Sequence, residues 1–286
     1  MRFLALLLDP WFYPKLALAL APCLALFAVA RVSRTALRSL AWSLPLALLV
    51  SWELTCAVFD PPKFLLPAPT DVWAAFLQYT APILEHSWQT LFTTLIGFAI
   101  AVAFGLALGI LVGASKAIYD GLYPLMIAFN AIPKVAIVPI LVVWFGIGTL
   151  PAVITAFLIS FFPIVVNVAT GLATIEPELQ DVLRSLGARK LQILWKVGIP
   201  RSMPYFFASL KIAITLAFVG SVVSETQAAN SGIGYLMTQA SSRFETPLCF
   251  AGLIVIAIMG VVMYEFFVWV ERRFTFWATR AHDMVT

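Results

Sequence analysis

Few side chains in this 286-residue sequence are equipped for chemistry, and most of them sit in apolar surroundings. The two histidines, His86 and His282, lie far apart, with no His-Glu-x-x-His pattern and no cysteine or carboxylate pair beside either. Cys23, Cys56 and Cys249 form an odd, widely spaced set without metal-ligand spacing, and read as small lipid- or core-facing residues. Gly113-Ala114-Ser115-Lys116 ends like a phosphate-binding loop but lacks the earlier glycine and the hydroxyl residue after the lysine. No catalytic residue, metal site or resident cofactor is expected. What remains is a set of polar groups inside hydrophobic runs. Lys134 stands between Pro133 and Pro139, four residues after Asn130. A charge at the bilayer centre costs roughly 2.5–3.5 kcal/mol, so Lys134 must face protein or water. It would serve an anion pathway, or bond to backbone carbonyls freed by the prolines. Asn130, Lys134, Asn167 and Glu225 are the candidate pathway residues; Glu225, like Glu53 and Glu265, could instead tie helices together. Lys211, near the end of its run, is expected to snorkel.

The elements that hold these residues follow from composition. The chain is 62% hydrophobic and 11% charged, with a mean hydropathy of +0.98. A soluble domain has about 45–50% apolar and about 25% charged residues, so an ordinary soluble protein, a disordered chain and a secreted disulfide scaffold are excluded. The net charge of +4 fits basic loops on one membrane face better than a nucleic-acid partner. Seven stretches approach the roughly 20 residues that a spanning helix needs. They are Pro14–Ala30, Trp42–Phe59, Trp88–Ala114, Leu122–Phe145, Leu150–Leu172, Pro204–Ser224 and Leu248–Val270. The first could be a cleaved signal peptide, but it lacks a small-x-small exit and ends in Arg31, Arg34 and Arg38, so it is read as a span. The positive-inside rule then gives an N-terminus outside and a C-terminus inside. The inner loops hold those three arginines, Lys116, Arg184, Arg189, Lys190, Lys196, Arg201, Arg272, Arg273 and Arg280; the outer ones hold Arg2, Lys15, Lys63 and Arg243.

Two spans are built to do more than cross. Gly97, Gly105, Gly109 and Gly113 share one face of the third, where a second helix can approach closely, within one subunit or between two. The prolines of the fourth predict a kink at Lys134. Outside, Leu66-Pro67-Ala68-Pro69 predicts an extended approach to a short helix capped by Thr70. Val72, Ala75, Phe76 and Tyr79 would form its apolar face on the outer surface.

The longest inner loop, 173–203, is the most polar segment but is still patterned. Leu179, Val182, Leu183 and Leu186 fall at i, i+3, i+4, i+7, and Leu191, Leu194 and Trp195 at i, i+3, i+4. Two short amphipathic helices are predicted, broken at Gly187 and stopped at Pro200. Such apolar faces would either fold back on the chain's own helices or form a docking element for a soluble partner.

Here the residues resemble a known family, the permease subunits of bacterial importers driven by ATP-binding cassettes. Their loop motif runs Glu-Ala-Ala, three residues, Gly, nine residues, Ile, one residue, Leu-Pro. This chain reads Asp181-Val182-Leu183, three residues, Gly187, nine residues, Val197, Gly198, Ile199-Pro200. The spacing from Gly187 to Pro200 is kept, while Asp181 replaces the Glu and Val182-Leu183 replace the two alanines. Further pieces look like the nitrate/sulfonate/taurine-type branch: Leu65-Leu66-Pro67, the Pro133–Pro139 kink running into Trp144-Phe145-Gly146-Ile147-Gly148, Phe162-Pro163 with Asn167 and Gly171, Ser185-Leu186-Gly187-Ala188, and Gly232-Ile233-Gly234-Tyr235. The likeness covers roughly Leu65 to Arg273.

The resemblance implies an all-α membrane protein of about seven transmembrane helices, six of the family type plus one N-terminal, with a two-helix cytoplasmic coupling loop. Residues 1–41 would be the additional helix and a basic linker, and 42–286 the permease domain. Glu178, Asp181, Leu183, Arg184, Leu186, Gly187, Ala188, Leu191, Trp195 and Pro200 would couple to the ATPase. Implied partners are a second permease subunit (a homodimer is expected), two cytoplasmic ATPase subunits, a periplasmic or lipid-anchored binding protein and membrane lipid, but no nucleic acid. ATP and Mg would be used by the ATPase partner, with no cofactor in this chain. The implied location is the bacterial inner membrane, and the implied cargo a small anion such as a sulfonate, taurine or nitrate. An intramembrane enzyme is disfavoured by the lack of a nucleophile–base set. A secondary carrier or channel would explain Lys134 and Glu225, but leaves the loop without a task.

Overall fold

A computed structural model describes residues 14–22, 36–114, 116–173 and 177–275, and among these there is no strand. The contacts divide the chain into two compact units, residues 1–82 with 237–253, and residues 83–236 with 254–286.

The first unit contains α1 (Ala36–Phe59) and α2 (Pro69–Gln78). Successive side chains of α1 staple the extended segment before α2. Trp52 Nε1 donates to the Pro67 carbonyl at 3.0 Å, and the Glu53 carboxylate accepts from Thr70 N at 3.2 Å and from its Oγ1 at 2.9 Å. Glu53 is therefore a tie between helices. The α2 cap differs from expectation: the helix starts at Pro69, so Thr70 lies inside the first turn, and the acceptor for its amide comes from another helix. Proline at the first helical position loses nothing, because that N–H has no helical partner. Asp71 accepts from Lys63 at 2.7 Å, and this bond and charge hold the Lys63 ammonium above its ordinary range. Val72 and Ala75 are buried as the pattern requires, while Trp73 and Leu77 are exposed on the opposite face.

The second unit holds α6 (Thr149–Ala173), α9 (Ile199–Ala228), all but the first three residues of α3 (Thr80–Gly113) and α11 (Thr246–Phe274) from residue 254 onward; these four helices are long and apolar enough to cross a bilayer. Between α3 and α6 lie α4 (Lys116–Ala131) and α5 (Val138–Phe145), joined by a 3₁₀ turn at Lys134–Ile137 and bent by 69°; taken as one broken span, the pair makes a fifth. Among the described residues four helices, or five with the bent pair taken as one span, are thus long and apolar enough to cross, where seven stretches were expected. The second expected stretch lies in α1, whose 24 residues include the apolar piece Leu44–Phe59, and most of the first expected stretch lies outside the described residues, which include only a helical piece at 14–22.

A Cβ placed on Gly97, Gly105, Gly109 or Gly113 would come within 2.6, 2.9, 2.8 or 2.9 Å of the Cβ of Ala156, Ile164, Val168 or Leu172 respectively. The glycine face is therefore a seam within one chain, between α3 and α6. Each partner lies 59 positions further on, so the residue numbers rise together and the two helices run parallel. The intervening segment must cross back, which is the task of the bent pair. Gly171 packs on Ser202 and Gly220 on Ala156, so α9 runs antiparallel to α6. Lys211, expected to snorkel, is instead held by Glu271 of α11 at 2.6 Å, beside the stacked rings of Phe207 and Phe274. A partly buried ammonium is better satisfied by a carboxylate within reach than by stretching to water.

The seam makes a direct prediction. Gly105→Ala should cost about 1–3 kcal/mol through overpacking against Ile164 and the Phe161 carbonyl. In detergent that would appear as a melting midpoint lowered by roughly 2–10 °C. Gly121→Ala, at a helical glycine with nothing near its missing Cβ, should leave the midpoint unchanged or raise it slightly.

Candidate functional site

Three places gather the residues singled out from the sequence. The first is the loop. α7 (Pro177–Ser185) ends in a Schellman turn: Gly187 N donates to the Arg184 carbonyl at 2.9 Å and Ala188 N to the Leu183 carbonyl at 2.9 Å. Gly187 takes the left-handed conformation this turn demands, φ +83°, and nothing lies near its missing Cβ. Arg189 N then donates to Gln192 Oε1 at 2.9 Å, half of a capping box that opens α8 (Lys190–Ile193). Pro200 does not stop this helix. α8 passes through a π turn at Leu194–Gly198 into α9, with Pro200 in the first turn, where its missing N–H is harmless. The continuous helix runs from Leu191 to Ala228.

The elbow presents much apolar surface. Leu186 is 78% exposed, and Val182, Leu191 and Trp195 are exposed with it. Glu178, Asp181 and Arg184 are also exposed, Asp181 and Arg184 forming an ion pair at 3.3 Å, while Leu183 and Ala188 are half-buried. Such a surface can bind a partner.

The second place is the break in the bent span. Lys134 Nζ donates to the carbonyl of Asn130 at 2.5 Å and to its Oδ1 at 2.6 Å. The ammonium thus closes the C-terminal end of α4, where a cation is favoured by the helix dipole. Asn167 is not part of this pair; its Nδ2 donates to the Pro163 carbonyl one turn back in α6, at 2.8 Å.

The third place is built on Glu225, which is 2% exposed. Expected on the pathway, it is closed off among α3, α9 and the start of α10 (Ile233–Ser242). Its Oε2 accepts from Thr90 Oγ1 at 2.8 Å and from Gly234 N at 3.2 Å; its Oε1 lies 3.3 Å from both Thr93 Oγ1 and Ser221 Oγ. Thr93 and Ser221 bond to each other at 2.6 Å. Two further amides at the start of α10 find side-chain acceptors: Gly232 N on His86 Nδ1 at 3.0 Å, and Ile233 N on Thr90 Oγ1 at 2.8 Å. The start of a helix has unpaired N–H groups and a positive dipole end, and both favour a carboxylate there. Gly232, at φ +105°, is needed because any Cβ would overlap the Glu225 carboxylate; a Cβ on Gly234 would meet the Val222 carbonyl at 2.5 Å.

His86, Thr90, Thr93 and Ser221 were not among the residues singled out from the sequence. A signal was present: Thr90, Thr93 and Thr94 stand at i, i+3, i+4 in one apolar run, and Ser221, Ser224 and Glu225 repeat that spacing in another. Among the described residues no group of three or more His, Cys, Asp and Glu could hold a metal ion.

The chain as a whole is similar to known proteins. A family described as binding-protein-dependent transport system inner membrane component matches residues 101–276. The formylaminopyrimidine transport permease protein ThiX of Halalkalibacterium halodurans is 31% identical over 218 residues, 76% of this chain and 87% of that protein. The riboflavin transport system permease protein RibX of Chloroflexus aurantiacus is 33% identical over 232 residues, 80% of this chain and 87% of that protein. The taurine transport system permease protein TauC of Escherichia coli is 28% identical over 242 residues, 82% and 88% of the two chains. Among solved structures, an inward-facing MetNI methionine ABC transporter superposes with a TM-score of 0.61 at 19% identity, over 69% of this chain and 98% of that one, a likeness of fold.

The buried cluster can be tested by stability alone. Thr90→Val removes the acceptor of Ile233 N and a donor to Glu225, and should cost about 1–3 kcal/mol, read as a lowered melting midpoint in detergent. Thr90→Ser, which keeps the oxygen, should recover most of that loss.

Proposed function

The chain belongs to the binding-protein-dependent transport system inner membrane component family, the permease subunits of ABC importers, and within that family we propose that it forms the solute pathway of an importer for a small anion. It is a multi-pass membrane protein and a transport subunit rather than an ATPase.

The observation that carries the coupling reading is the elbow. A glycine-hinged pair of short helices exposes Val182, Leu186, Leu191 and Trp195, and its second arm continues through a π turn into α9. Lipid does not require a Schellman turn flanked by charges, whereas a groove on a soluble subunit accepts both the apolar ridge and the Glu178, Asp181 and Arg184 rim. Two ATPase subunits would each seat one elbow and supply the ATP and Mg chemistry. The elbow would then be cytoplasmic, with the C-terminus inside and the N-terminus outside. Two copies of this chain would enclose the path, and a periplasmic or lipid-anchored binding protein would deliver the solute.

Lys134 supports an anionic solute. Two of its N–H groups are used on Asn130, and the pair sits at the break of a bent span, where lipid is a poor neighbour for either. Asn130, Lys134 and Asn167 are the proposed pathway residues. The relatives named for taurine and sulfonates favour a sulfonate or taurine over nitrate, while those named for formylaminopyrimidine and riboflavin mark how widely the family's cargo varies.

Two measurements test this. Leu186→Glu should abolish co-purification of the ATPase and uptake, with the yield of folded permease unchanged, and Gly187→Trp, strained at φ +83°, should abolish both by distorting the turn; intact co-purification and uptake in Leu186→Glu would refute the docking assignment. Lys134→Ala should lower uptake of an anionic solute about 10- to 100-fold, the value of a lost charge-assisted hydrogen bond, while folded yield falls less. Equal losses of yield and uptake would make the lysine a structural cap only.

A further inference from the structure

We propose that Glu225, Thr90 and His86 form a socket that positions the start of α10, and that the carboxylate exchanges hydroxyl partners during the transport cycle. The first part stands on three consecutive amides, Gly232, Ile233 and Gly234, each donating to a side chain from α3 or α9. Glycines at 232 and 234 are the shape that admits the carboxylate. The turn after the bent span is tied to the same corner, with Gly148 N donating to the Ala228 carbonyl at 3.1 Å. α3, α9, α10 and the end of the bent span therefore meet at one polar point, at the opposite end of α9 from the elbow.

The second part stands on what this conformation leaves unpaired. Among the described residues Thr94 Oγ1 and Ser224 Oγ are buried side-chain oxygens with no hydrogen-bond partner. They belong to the same two helices, Thr94 one turn along from Thr90 and Ser224 beside Glu225. Buried hydroxyls are nearly always satisfied, and each exception needs a reason. A seam holding more hydroxyls than one conformation can pair fits a carboxylate that trades partners as α3 and α9 move past each other. Packed interfaces shift between discrete arrangements in this way. Glu225 is then a positioning residue, acting through α10 rather than on the solute. This second part rests on the importer reading above; the socket itself does not.

The test is amide hydrogen exchange at Ile233 and Gly234 in lipid nanodiscs. In the chain alone, Glu225→Ala should speed exchange at both amides at least tenfold, and unchanged protection overturns the socket whether or not an ATPase is ever found. In the complex with its co-purified ATPase, protection at these amides should differ at least threefold between the nucleotide-free state and the state trapped with ATP and vanadate. Identical protection in the two states makes the socket purely structural and overturns the exchange. The double variant Thr94→Val with Ser224→Ala removes only unpaired hydroxyls, so it should fold normally and keep the nucleotide-free protection. It should lose the change on trapping; a change of wild-type size would overturn the role given to those hydroxyls. Failure of any ATPase to co-purify with the wild-type chain counts against the importer reading and leaves the socket result standing.

Discussion

The close approach of α3 to α6 constrains everything else in the larger unit. Inside a bilayer, lipid tails are as apolar as leucine, so helices gain little by hiding apolar faces from one another. What holds them is backbone proximity and dispersion, and four glycines at a constant offset from Ala156, Ile164, Val168 and Leu172 supply it over more than four turns. The parallel sense of that pair dictates the return crossing between them. The return is made by two helices bent at Pro133 rather than by a straight rod, and that break is where Lys134 and Asn130 meet. With α9 laid antiparallel on α6, the end of α9 comes level with the beginning of α3, and Glu225 finds Thr90.

Four charged or amide side chains that this packing carries into the apolar layer are satisfied in four different ways. Lys134 closes a helix end, Asn167 bonds back to its own helix, Lys211 takes a carboxylate from α11, and Glu225 collects hydroxyls and one amide. Removing a polar group from water costs several kcal/mol unless partners replace the water. The four solutions differ in consequence. The first two are local and leave their helices free to move, whereas the last two fasten helices that lie far apart in sequence.

Hydropathy alone located the helices 88–114, 150–172, 204–224 and 248–270 within longer ones, because the apolar run is the part that lipid demands. It could not find where those helices begin. α3 starts at Thr80, eight residues before its apolar run, since helix formation does not stop at the edge of the hydrocarbon. Pro200 was misread for a related reason: a proline that ends one helix and a proline that opens the next look alike in sequence. The break at Gly187 was legible, because a glycine between two amphipathic patterns marks the left-handed residue that closes a helix. The Glu225 cluster was legible only in part: the i, i+3, i+4 polar sets mark two helix faces, but nothing in the sequence pairs Thr90 with Glu225, 135 residues away.

The unbroken path from Leu191 to Ala228 has a mechanical meaning. Its 38 residues make a rod about 57 Å long at 1.5 Å per residue. A tilt of about 5° around its midpoint would carry the two tips about 2.5 Å in opposite directions, with no side chain relaying the motion. The π turn at Leu194–Gly198 interrupts the regular ladder beside Trp195 and is a natural joint near one tip. How much of a displacement survives to the far tip is then a matter of bending rigidity, a property of the backbone rather than of any residue that touches cargo.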